Sequence, residues 1–207
     1  MYLNELFNFV IRTSATYKID ESHSLGHSME VYYYANKLFE NKLNLKQIDS
    51  SRKKLVDICA ILHDMCDKKY MDEEVGIKNI NNFLKNKINE EEIKVVNDII
   101  TTMSYSKVKE VGFPDLGENM DIYHIVRQAD VLAAYDFERC MIYGMMMYHD
   151  SYKEVFKKAE NLFNNRVLKH IYDNTFIDEY ALNLGKDLHD KAEKRIKDLK
   201  EYHCFYN

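Results

Sequence analysis

The stretch Ile61-Leu62-His63-Asp64-Met65-Cys66-Asp67-Lys68 sets an imidazole beside a carboxylate, directly after the apolar run Leu55-Val56-Asp57-Ile58-Cys59-Ala60. A charge at the end of a buried helix needs an ion partner or a metal. Neighbouring helix positions point about 100° apart, so both side chains can lean toward one point beyond the helix end. Imidazole nitrogen and carboxylate oxygen are ligands for a divalent metal at such a point. Taken alone, a His-Asp dipeptide is more often a surface pair at a fraying helix end. The flanking elements decide between the two readings.

Upstream stands Ser22-His23-Ser24-Leu25-Gly26-His27-Ser28-Met29-Glu30-Val31, and downstream Ile125-Val126-Arg127-Gln128-Ala129-Asp130-Val131-Leu132. Asp130 sits among apolar neighbours inside a helical pattern, where a carboxylate is locally unfavourable. It asks for a partner, either Arg127 one turn back or a metal. The order His27, then His63-Asp64, then Asp130 resembles the HD superfamily of metal-dependent phosphohydrolases, over roughly residues 20 to 140. The resemblance implies that His27, His63, Asp64 and Asp130 come from three helices to hold one divalent metal. It also implies an all-α fold, a compact multi-helix bundle with the metal in its core.

The family often has a histidine at the place of His23, which could share the cavity. Asp67 lies three residues after Asp64, within reach of a metal-bound water, and Lys68 could balance phosphate charge. An Asp-Lys pair directly after the doublet recurs in one branch of the family. In that branch a serine near Ser104 borders the site. Arg127 and Arg139 are further candidates for phosphate contact, and Asp136 with Arg139 could form a polar rim. A common subgroup has a second Asp three residues after the last ligand, where this chain has Ala133. That departure leaves the subgroup's substrate preference without support.

A mixed nitrogen and oxygen site suits Mn, Fe, Co, Ni or Zn better than Mg. Such a metal lowers the pKa of bound water and polarises a phosphoryl oxygen. With Asp67 or His23 as proton carrier, the expected reaction is hydrolysis of a phosphomonoester or phosphoanhydride, with a nucleotide as the best substrate. Dinuclear relatives, phosphodiesterases or oxygenases, need two more histidines between the doublet and the final Asp. His124 is the only one there. A non-catalytic, metal-stabilised binding protein is the third reading, which an intact set of four ligands argues against.

The rest of the sequence bounds these expectations. The chain has 207 residues with six Gly and one Pro, a composition that favours helices, and it is expected to form a single domain over 1–207. A net charge of −5 gives no broad field for nucleic acid. The basic residues from Lys186 to Lys200 alternate with acids, as on a solvated helix face. The N-terminus lacks the pattern of a signal peptide, and no stretch approaches a membrane span, so a cytoplasmic protein is expected. A homo-oligomer is left open. Cys59 and Cys140 read as small core hydrophobes, and Cys66 receives no role from the resemblance.

The elements expected to position the site begin with an amphipathic helix carrying Leu3, Leu6, Phe7, Val10 and Ile11. A second helix carries His27 near its start, with Val31, Tyr34, Leu38 and Leu45 along one side. A third, from about Asp49 to Cys66, delivers the doublet. Helices over 72–86 and from Glu90 to Met103 follow, with Ser104-Tyr105-Ser106 closing the latter. A loop spans Val111 to Asn119, and one long helix from Met120 to about Tyr148 carries Asp130. Met141, Met145, Met146 and Met147 form an adaptable apolar patch on its last turns. Ser151–Asp173 and Phe176–Glu201 are expected as closing helices, with His149, His170, His189 and His203 as ordinary histidines.

Overall fold

A computed structural model describes residues 2–204, and side chains through residue 202. Helices account for its regular structure. No strand occurs among the described residues, and the isolated bridge between Lys85 and Ile88 is the departure from helix. The chain divides into two compact units, residues 1–130 and 131–207. The four expected ligands all lie in the first.

The first unit contains α1 (Tyr2–Tyr17), α2 (Leu25–Asn44), α3 (Lys53–Leu62), α4 (Glu73–Leu84), α5 (Glu90–Thr102), α6 (Tyr105–Val111) and most of α7 (Met120–Ala133). At its centre is α3. Every residue from Leu55 to Leu62 is buried, Asp57 included. A helix that is apolar nearly all round must be enclosed by others, and α1, α2 and α5 pack against it. The apolar stripe of α2 (Val31, Ala35, Leu38, Phe39) supplies the largest of these interfaces. Val96, Ile99 and Ile100 are the buried residues of α5, whose start is fixed by a capping box between Asn89 and Glu92.

Several expected boundaries shift, each for a local reason. The third helix is shorter than expected. A 3₁₀ turn over Ser50–Arg52 precedes α3, with Asp49 accepting from the Ser51 amide, and α3 ends at Leu62. His63 and Asp64 therefore lie in the turn that follows the helix. Leu45 falls past the end of α2 and is exposed, and Val75 of α4 is exposed too. Ser104 does not close α5 but caps a new helix, accepting from the Lys107 amide at the start of α6. The long helix from Met120 to Tyr148 is in fact two. After Ala133 the chain breaks, and the Asp136 carboxylate accepts from the Arg139 amide to start α8 (Phe137–Tyr148).

The second unit continues with α9 (Tyr152–Asn165), opened by a capping box between Ser151 and Glu154, and α10 (Glu179–Cys204). Here α8 packs on α9, with Phe137 edge-on to Phe156 and Phe163. Met141 is buried, whereas Met145, Met146 and Met147 are exposed. His170 and His189 are buried, and the side chain of His203 lies outside the described residues.

One close approach ties the fold to the His63-Asp64 turn. A Cβ added to Gly76 in α4 would sit 2.6 Å from Cys66 Cα and 2.7 Å from Cys66 Cβ. Only glycine lets α4 press on the turn at this point. Gly76→Ala should therefore lower stability by about 1–3 kcal/mol, as overpacking against a backbone atom does. Thermal unfolding with and without added divalent metal checks this, and an unchanged melting temperature would mean that the contact is slack.

Candidate metal centre

His27 stands in the first turn of α2, His63 and Asp64 just past the end of α3, and Asp130 one turn before the end of α7. Their side chains converge. His27 Nε2 lies 3.1 Å from His63 Nε2, 3.3 Å from Asp64 Oδ2 and 3.2 Å from Asp130 Oδ1. His63 Nε2 lies 3.3 Å from Asp64 Oδ2 and 3.7 Å from Asp130 Oδ1. Ligand atoms about 2.0–2.2 Å from a common ion, at angles between octahedral and tetrahedral, stand about 2.8–3.6 Å apart. The spacings among His27, His63 and Asp64, and the 3.2 Å from His27 to Asp130, fall in that range, while the 3.7 Å from His63 to Asp130 lies just outside it. His27, His63 and Asp64 form a group that could hold a metal ion.

Donor chemistry points the same way. His63 Nδ1 lies 2.9 Å from the Ala60 carbonyl, which can only accept, so Nδ1 carries the proton and Nε2 of the neutral ring turns its lone pair into the cluster. Asp64 Oδ2 is buried and receives no hydrogen bond. A buried carboxylate oxygen in that state calls for a cation. Both imidazoles are buried, while the carboxylates of Asp64 and Asp130 are 16 % and 29 % exposed. The cluster thus opens to solvent on its carboxylate side, where water or a ligand can approach.

The charges are strongly coupled to one another. Burial disfavours the imidazolium of His63, but the Asp64 carboxylate, helped by Asp130, overrides it and pushes the pKa up to about 9. Burial likewise disfavours the charge on Asp130, yet His27 and His63 hold its pKa down at about 2. Asp64 is held well below the usual carboxylate range, against its burial, by the same two rings. In the metal-free protein a proton thus occupies the position that suits a metal. Burial pushes the Cys66 thiol up to about 12.

The remaining candidates fall into distinct settings. His23 is half-buried, with its ring centroid 6.1 Å from that of His27. Asp67 is half-buried in the turn after Asp64, its Oδ1 accepting from the Lys69 amide at 2.9 Å. Lys68 is exposed and pairs with Glu73 at 3.0 Å. Arg127 is buried with its guanidinium over the Phe113 ring, 4.9 Å from the centroid. Ser104 caps α6, and Arg139, in the second unit, donates to the Ala133 carbonyl. Three residues to which the sequence assigns no role at the site surround His23. Lys69 Nζ approaches its Nε2 at 3.4 Å, Tyr70 its Nδ1 at 3.0 Å, and Asp20 accepts from Tyr70. Lys69 could have been found from its place two residues after Asp67, but nothing local marks Asp20 or Tyr70.

A second group that could hold a metal lies on α10, where His189, Asp190 and Glu193 share one helix. His189 is buried and the two acids are exposed, with His189 Nε2 3.5 Å from Glu193 Oε1. Such an i,i+4 pair on a solvated helix is common without any ion.

No family model matches the chain, and no curated protein matches it. Among solved structures, a Lactobacillus plantarum protein determined as a Northeast Structural Genomics target is similar in fold, with a TM-score of 0.70 at 16 % identity. The match covers 98 % of this chain and 96 % of that one. At this identity the likeness is one of fold alone. The class defined so far is thus an all-α protein with buried His and Asp groups that could bind metal, and no helix among the described residues is long and apolar enough to cross a membrane.

The pKa directions make a testable profile. His63 is raised from 6.5 to about 9, so the stability it contributes is complete below about 6.5 and is lost as the pH climbs to about 9. Asp130 is lowered from 3.8 to about 2, so its contribution is present above about 4 and is lost as the pH falls through about 2. Chelator-treated protein should therefore lose stability between pH 6.5 and 9. Metal-saturated protein should not, because loss of the His63 proton favours metal binding. Denaturant titrations at several pH values measure both, and parallel profiles with and without metal would contradict the coupling.

Proposed function

We propose that this chain is a metal-dependent phosphohydrolase of the HD type, acting on a phosphomonoester or phosphoanhydride bond of a nucleotide. The observation that carries the reading is the convergence of His27 from α2, His63 and Asp64 from the turn after α3, and Asp130 from α7, with neighbouring ligand atoms 3.1–3.7 Å apart, in the order of the HD pattern. One divalent metal, with Mn, Fe, Co, Ni or Zn preferred by the ligand types, would be held by those four residues. When bound, it would supply Lewis acidity toward a phosphoryl oxygen and toward water.

The chain's own residues take the remaining roles. The buried rings of His27 and His63 would hold the ion from the inside, while the partly exposed carboxylates of Asp64 and Asp130 would face an approaching substrate. Asp67, on the same turn as Asp64, is the candidate to hold or pass a proton, with Oδ1 oriented by the Lys69 amide. Lys69, whose ammonium stands between His23 Nε2 and Asp67 Oδ2, is better placed than Lys68 to meet phosphate charge. A dinuclear site finds no further support, because His124 faces Phe113, their rings edge-on at 5.0 Å.

The test is metal content together with hydrolysis of nucleoside mono-, di- and triphosphates and of a phosphodiester. One metal per chain and release of phosphate or pyrophosphate are expected. Asp64→Ala should lose both metal and turnover. Asp67→Asn should keep the metal while turnover falls by about 10²–10⁴-fold, the usual range for a lost proton carrier. Normal turnover in Asp67→Asn would make Asp67 an ordinary loop carboxylate. A wild-type chain that binds metal yet hydrolyses none of the panel would favour the binding-protein reading.

A further inference from the structure

We propose that Asp20 and Tyr70 are positioning residues that lock His23 in the tautomer bearing its proton on Nδ1. This presents the Nε2 lone pair, next to Lys69, as a hydrogen-bond acceptor beside the metal ligands. The functional meaning of the lock rests on the phosphohydrolase reading, but the lock itself does not.

The argument follows the protons. Tyr70 Oη is in short contact with Asp20 Oδ2 and lies 3.0 Å from His23 Nδ1. A phenol has one proton to give. Asp20 is buried, and its Oδ1 also accepts from the Ser22 amide at 2.9 Å. Burial works against its charge, but the hydrogen bonds from Ser22 and Tyr70 outweigh burial and hold the carboxyl below its ordinary value. An ionised carboxylate only accepts, so the Tyr70 proton points at Asp20. The phenol oxygen then faces Nδ1 as an acceptor, and Nδ1 must be the donor. Ser22 Oγ, 2.6 Å from Nδ1, is a second acceptor for the same N–H.

The opposite edge of the ring gives the same answer independently. Lys69 Nζ lies 3.4 Å from Nε2, and an ammonium has donors but no acceptor. Nε2 must therefore offer its lone pair. The ring sits edge-on to His27 and half-buried, so this edge is within reach of a small group at the cluster. His23 Nε2 and Lys69 Nζ together form an acceptor beside a cation. With its ammonium turned to an incoming anionic oxygen, Lys69 would leave the Nε2 lone pair to accept from a hydroxyl or water. A ring in the other tautomer would turn an N–H toward the ammonium and could orient neither.

The experiment uses the full chain with ¹⁵N-labelled histidine, zinc-loaded so that spectra stay sharp, at mildly alkaline pH. Two-bond ¹H–¹⁵N correlations report which ring nitrogen carries the proton, and His23→Gln identifies the His23 signals. Wild type should show a protonated Nδ1 and an unprotonated Nε2. In Asp20→Asn the amide can donate to the Tyr70 oxygen and turn its proton toward His23, so the Nε2–H tautomer should become populated. Tyr70→Phe should also mix the tautomers, with zinc content unchanged and kcat down by roughly 10-fold or more while KM moves less. Wild type with its proton on Nε2 overturns the proposal, as does an unaltered tautomer in both variants. The wild-type spectrum decides even if a variant fails to fold. If the lock is seen but no phosphate ester is hydrolysed, the functional reading falls and the lock stands.

Discussion

Four lone-pair atoms cannot crowd together inside a protein unless something positive lies among them. His27 Nε2, His63 Nε2, Asp64 Oδ2 and Asp130 Oδ1 are nevertheless held within 3.1–3.7 Å of the neighbours that bind them into one cluster. Mutual repulsion and desolvation would drive such groups apart, so the surrounding helices must impose the arrangement. In the metal-free state a proton shared with His63 relieves part of the cost, which is why its pKa climbs to about 9. A divalent cation would relieve it more completely, satisfying Asp64 Oδ2 directly.

The fold can be understood from that constraint. Its anchor is α3, enclosed by α1, α2 and α5, so the turn that leaves its end is fixed at the point where the doublet emerges. Ala60, in the last turn of α3, supplies the carbonyl that sets the tautomer of His63. Gly76 lets α4 brace the same turn at Cys66. Polar groups outside the ligand set are arranged in layers. The Asp20–Tyr70 pair orients His23, and Lys69 stands between His23 and Asp67.

Much of the cluster was legible in the sequence because its residues interrupt apolar patterns. Asp130 between the buried Ala129 and Val131, and His63-Asp64 after a run of buried residues, stand out as polar groups set in apolar surroundings. The helical class followed from composition and periodicity. Boundaries were less legible. The break at residues 134–136 lies inside an apolar stretch, and only the capping bond from Arg139 to Asp136 reveals it. The polar groups around the cluster were least legible. Lys68 and Lys69 are chemically identical in sequence, and the choice between Glu73 and His23 as partner is made by the direction of a turn. Tyr70 and Asp20 are 50 residues apart, and no local pattern encodes a hydrogen bond of that span.

The central claim is that the cluster is a metal centre, and anomalous diffraction from a crystal of the protein tests it most directly. Data collected on both sides of the absorption edges of Mn, Fe, Co, Ni and Zn would locate and identify any bound ion. The account predicts one peak per cluster, about 2.0–2.2 Å from each of His27 Nε2, His63 Nε2, Asp64 Oδ2 and Asp130 Oδ1. A crystal grown with such metals that showed no peak among these four atoms, or the four side chains turned apart, would contradict it.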